Sequence, residues 1–151
     1  MESNSILRPV IDGLIQTCRD GQEGFRTAAE NVEDAPMKQF FNKFSMQRAQ
    51  FTGELQTAAH ALGESDPENS SSVAGALHRG WINLKGAIAG KDTHAILAEC
   101  ERGEDSAVKS FKEVLELELP ANLRAVVQGQ YVAIQTAHDE VKALRDAHAK
   151  K

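Results

Sequence analysis

Apolar residues recur every three or four positions over most of the chain, the spacing that gathers them on one side of an α-helix. In the first such segment Val10, Leu14, Cys18, Gly21 or Gln22, Phe25, Ala28 and Val32 share a face. Pro9 suits a first turn and places the start near Arg8. Asp34-Ala35-Pro36 offers an N-cap followed by a first-turn proline, which predicts a tight reversal into an antiparallel neighbour. The second stripe is Met37, Phe40, Phe41, Phe44, Gln47, Phe51, Leu55, Ala58 and Leu62, and Gly63 is a suitable end.

Beyond Gly63 the chain turns polar from Glu64 to Ser72, and Val73, Leu77, Trp81, Leu84 and Ile88 then predict a shorter helix. Gly75, Gly80, Gly86 and Gly90 lower its helix propensity and permit close packing. Asp92 is an N-cap for a fourth helix carrying Ile96, Leu97, Cys100, Glu101, Glu104, Ala107, Val108, Phe111, Val114 and Leu115. Pro120 marks the next reversal, and Leu123, Val126, Val127, Gln130, Tyr131, Ile134, His138, Val141, Leu144 and Arg145 line the last helix. The expected spans are 9–32, 36–62, 72–88, 92–117 and 121–147, with Phe25, Phe44, Phe51, Phe111 and Ile134 buried together.

With no sustained period-two alternation to suggest strands, residues 1–151 read as one all-α domain. Two long antiparallel pairs joined by one long crossover is the topology of a ferritin-like four-helix bundle, here with an extra helix in the crossover. An internal echo, Cys18-Arg19-Asp20-Gly21-Gln22-Glu23 against Cys100-Glu101-Arg102-Gly103-Glu104-Asp105, fits two hairpins of common origin.

Composition narrows the function classes. Hydrophobic residues make up 41% and charged residues 26%, which suits a folded domain. A net charge of -5 leaves no basic stripe for nucleic acid or an anionic membrane surface. No apolar run reaches the roughly 18 residues of a membrane span, and Met1-Glu2-Ser3-Asn4 lacks the basic start of a signal peptide, so a cytoplasmic location is expected. Cys18 and Cys100 are too few and too far apart for a disulfide framework and are expected to be buried free thiols.

A ferritin-like dimetal site takes a Glu from each of two helices and a Glu-x-x-His from each of the other two, because hard divalent iron or manganese favours carboxylates with imidazole. Reflected about Ala35, Glu23 lies opposite Gln47, with Gln50 three residues on. Reflected about Pro120, Glu104 lies opposite Gln135, with His138 three residues on and Glu101 one turn earlier. Glu23, Gln47, Gln50, Glu101, Glu104, Gln135 and His138 are thus the candidate metal set, in an eroded form. Neutral amides stand where acids and one histidine would be, leaving too little negative charge for two dications in a low-dielectric core. The expectation is no cofactor, or weakly bound iron or manganese. A competing structural role is a hydrogen-bonded polar layer of Gln22, Gln47, Gln130, Glu101, Glu104 and His138. In His78-Arg79-Gly80-Trp81, Trp81 is expected to be a core anchor.

The run from Cys18 to Glu30, with His78-Arg79-Gly80-Trp81, Glu101-Arg102-Gly103-Glu104-Asp105 and Gln130-Tyr131 followed by His138, resembles the bacterial family of small four-helix-bundle proteins carrying a ferritin-like domain of unknown function. The resemblance implies the ferritin-like fold and a link to stress responses. Gln47, Gln50 and Gln135 depart from the full dimetal pattern. A non-catalytic bundle protein acting by structure or association is therefore the leading expectation, and a metal-binding protein or weak oxidase the alternative. Open partner classes are a second copy of the chain, in a homo-oligomer, and a small apolar ligand between the hairpins.

Overall fold

The computed structural model describes residues 2–63, 81, 84–90 and 92–149, with side chains from Leu7 onward and none for residue 149. Among these residues it is a helical bundle of five helices: α1 (Glu2–Glu30), α2 (Ala35–Ala61), α3 (Leu84–Ala89), α4 (Thr93–Leu115) and α5 (Ala121–Ala149). No strand occurs among the described residues, and none of their helices is long and apolar enough to cross a membrane.

The helix ends follow the local chemistry. Asp34 caps α2, its Oδ2 accepting the Met37 N–H at 2.9 Å, with Pro36 in the first turn where its missing N–H costs nothing. Asp92 caps α4 in the same way, accepting from the Ala95 N–H at 3.3 Å. Past the end of α2, Gly63 has φ +81°, a left-handed conformation that suits glycine, and its N–H reaches the His60 carbonyl. At the last reversal the Arg124 guanidinium donates to the Leu115 and Leu117 carbonyls and so satisfies acceptors left over by the end of α4.

One boundary differs from the expectation. The first helix begins at Glu2, so Pro9 lies inside it. The buried stripe starts earlier than Val10, with Leu7 and Ile11 in the core, and extending the helix secures their burial. Pro9 is exposed, the side on which losing one backbone hydrogen bond is least costly. Of the helix expected over 72–88, residues up to 80 lie outside the described part, as do His78, Arg79 and Gly80. Residues 82 and 83 lie outside it too, and what is described is Trp81, which is not helical, and α3.

α1 pairs with α2 and α4 with α5, while α1 also packs on α4 and α2 on α5. One apolar cluster gathers Leu7 to Cys18 of α1, Phe51 to Ala59 of α2, Ala107 and Phe111 of α4, and Leu123 to Ile134 of α5. The other gathers Phe25 to Val32, Met37 to Phe44, Ile96 to Cys100, and Ala137 and Val141, with Trp81 and Leu84. Hence α1 and α5 run one way and α2 and α4 the other. The link from α2 to α4 must return along the bundle, a distance of roughly 40 Å for a helix of this length.

Two clusters also mean that the expected core residues are buried but not together. Phe25 and Phe44 belong to one half, and Phe51, Phe111 and Ile134 to the other. Polar side chains separate them.

Candidate functional site

Along α2 the inward stripe is Met37, Phe41, Phe44, Arg48, Phe51, Leu55 and Ala58, all buried. Arg48 therefore lies midway down a hydrophobic seam, wholly enclosed. Its Nη1 and Nη2 donate to the two carboxylate oxygens of Glu104, each at 2.5 Å, and Glu104 is itself fully buried on α4. Such a bidentate fork is the strongest arrangement for an arginine and a carboxylate. α2 and α4 stand diagonally across the bundle, so this pair spans its centre.

Neighbours fit around the guanidinium. A Cβ on Gly21 of α1 would come within 3.0 Å of Arg48 Nη1, so the missing side chain is the space the guanidinium fills. The Arg48 Nε donates to Gln47 Oε1 at 3.2 Å, and the Phe25 ring lies 5.4 Å from its Cζ. Burial alone would favour a neutral Arg48, but the Glu104 charge and hydrogen bonds hold its pKa above the ordinary value. On the same level Gln130 donates to the Phe51 carbonyl at 3.2 Å and to Glu54 Oε1 at 3.0 Å. Its own Oε1 is buried without a hydrogen-bond partner.

A second polar group lies in the groove between α4 and α5. Glu101 and Asp105 are one turn apart on α4, and His138 reaches toward them from α5. His138 Nε2 is 2.5 Å from Asp105 Oδ1 and 3.6 Å from Glu101 Oε2, and its Nδ1 is 3.1 Å from Asp139 Oδ1. Glu101 Oε1 accepts from Arg145, which also contacts Asp146. Burial pulls the His138 pKa down, but the hydrogen bond to Asp139 and the charges of Asp105 and Glu101 outweigh this and leave it above the usual histidine value. A histidine raised on folding contributes stability that is complete below its unfolded pKa and lost as pH rises through the folded one. In the presence of a chelator, urea unfolding of wild type and His138→Gln should therefore differ most in mild acid and converge above the histidine range. A difference that widened with pH would contradict these contacts.

The seven residues picked out by symmetry are not brought into one site. Glu104 is at the centre, held by Arg48, with Gln47 beside it. Glu101 and His138 meet in the α4–α5 groove. Glu23 pairs with Arg26 along the surface of α1, Gln50 is exposed and donates to Glu54, and Gln135 is exposed. Reflection about a reversal matches heights along the helices but not the direction each side chain takes. Gln22 likewise stands apart from the buried pair, only half-buried.

Arg48, not its expected neighbour Gln47, carries the buried ion pair. A signal existed: Phe41, Phe44, Phe51 and Leu55 leave one gap in an alternating spacing of three and four, and Arg48 fills it. Asp105, one turn beyond Glu101, likewise lies outside the expected set.

Trp81 is a core anchor, as expected, 2% exposed and edge-on to Phe25 with ring centroids 5.2 Å apart. The glycines that admit it belong to the long helices. A Cβ on Gly24 of α1 would lie 2.5 Å from its ring, and one on Gly103 of α4 would lie 2.2 Å away. The indole is thus wedged between α1 and α4. Cys18 and Cys100 are buried free thiols in opposite halves of the core. Burial pushes the Cys18 pKa up to about 12 and that of Cys100 well above its usual value, which keeps both protonated and poorly nucleophilic.

Comparison with curated proteins finds no match. Residues 9–117, from α1 through the whole of α4, match the family described as a domain of unknown function, DUF2383, and the chain belongs to that family.

Proposed function

We propose that the chain is a non-catalytic ferritin-like bundle protein that acts by structure or association, with an arginine–glutamate ion pair where a dimetal centre would lie. The ferritin-like reading is supported by the helix directions, which require one long crossover between two hairpins. The stress-associated role rests on the sequence resemblance alone. The observation that carries the non-catalytic reading is the Arg48–Glu104 pair. Arg48 already neutralises Glu104, the most deeply buried carboxylate among the described residues, and both oxygens of Glu104 are taken by its donors. A dication entering there would have to displace or repel a permanently charged guanidinium in a low-dielectric interior.

Elemental analysis of protein purified without chelator is the test. The expected result is fewer than two transition metals per chain. Two tightly held iron or manganese ions per chain would overturn the reading.

A further inference from the structure

We propose that Glu101, Asp105 and His138 form a mononuclear site for a divalent first-row transition ion of the zinc type, set in the groove between α4 and α5. The site is separate from the Arg48–Glu104 pair and does not depend on the ferritin-like reading. One nitrogen and two carboxylate oxygens from two helices lie within 4.8 Å of one another. Bonds of about 2.0–2.2 Å would put the ligand atoms roughly 3 to 3.5 Å apart. The His138–Glu101 separation of 3.6 Å nearly has this value, and the 2.5 Å to Asp105 opens by a small swing of a side chain that is 61% exposed.

The orientation of the imidazole is the stronger argument. In the tautomer that donates Nδ1–H to Asp139 Oδ1, the Nε2 lone pair of His138 faces two carboxylate oxygens. Three acceptors converge, and only a positive particle between them relieves the repulsion. A second proton on the ring does so, and a metal ion competes for the same place. A carboxylate that fixes the tautomer from the far side of the ring is a recurrent feature of histidine ligation. The surroundings stay acidic, because Arg145 is shared between Glu101 and Asp146. Mixed nitrogen and oxygen donors suit zinc and its neighbours, and three protein ligands leave a position for water.

The test uses the full chain, stripped with chelator and dialysed. Zinc binding is followed by calorimetry, and cobalt binding by its visible absorption. The wild type should bind one ion per chain. His138→Ala should abolish saturable binding, and Asp139→Asn should weaken it about 10- to 100-fold. Asp105→Asn changes an exposed side chain, so it keeps the fold while lowering affinity at least as much. Absence of saturable binding by the wild type, or unchanged affinity in both His138→Ala and Asp105→Asn, would overturn the site. Neither result would touch the central ion pair, which is judged by whether two metals are held.

Discussion

Replacing Arg48 by methionine is expected to destabilise the protein by about 3 to 5 kcal/mol, because it strands the Glu104 carboxylate in a core that offers no other buried cation among the described residues. Both side chains are essentially inaccessible, at 1% and 0% exposure, so solvent cannot take over the lost interaction. The double variant Arg48→Met/Glu104→Leu removes the stranded charge as well. Buried ion pairs replaced by apolar groups of similar volume are often neutral, or stabilising by about 1 to 4 kcal/mol. The double variant should therefore recover most or all of the loss. Urea unfolding of the wild type, both single variants and the double variant closes the cycle. A single-variant loss below about 1 kcal/mol, the scale of a surface substitution, would mean that the pair is not enclosed. Recovery in the double variant would assign the pair to helix register and specificity, not to net stability. Arg48→Lys is no conservative substitute, because an ammonium cannot span both oxygens as the fork does.

Gly103→Ala should be nearly as costly, although it adds only a methyl group. That methyl would lie 2.2 Å from Trp81 Cε2 and 2.5 Å from Cζ2, distances no carbon pair tolerates. Gly24 of α1 lies almost as close to the same indole, so the ring has little room to slide. Losing a buried tryptophan costs about 3 to 5 kcal/mol, against a gain of about 1 kcal/mol in helix propensity from alanine over glycine. Sterics decide, and a loss of roughly 2 to 4 kcal/mol is expected. Gly53→Ala and Gly129→Ala have nothing within 4 Å of the added carbon, so they should stabilise by roughly 0.5 to 1 kcal/mol. Trp81 is the only tryptophan of the chain, so its fluorescence reports the event directly. Emission should shift to the red in Gly103→Ala and stay unchanged in the two controls. A stable Gly103→Ala protein with unshifted emission would refute the wedge.

Much of the helical framework was legible in the sequence. Asp34, Asp92, Gly63 and Pro120 mark the reversals, and each acts through bonds to residues a few positions away, which is why the signal is local. The stripes of α2, α4 and α5 were legible for the same reason, since a helical face is defined by neighbours three and four residues apart. Pro9 misplaced the start of α1, because the burial of Leu7 outweighs the one hydrogen bond the proline removes. The seam of α2 also runs through position 48, but an arginine there reads as solvated until its partner is known. That partner, Glu104, lies 56 residues away on a helix that does not flank α2. Gly24 and Gly103 look alike with Gly53 and Gly129 along the chain, and differ only in whether Trp81 is brought against them. His138 and Glu101 were paired correctly by height, whereas Glu23, Gln50 and Gln135 at similar heights turn elsewhere. Periodicity within one helix determines which face turns inward. Which polar groups meet there is decided by the register and rotation of one hairpin against the other, and that relation exists only once the four long helices are packed.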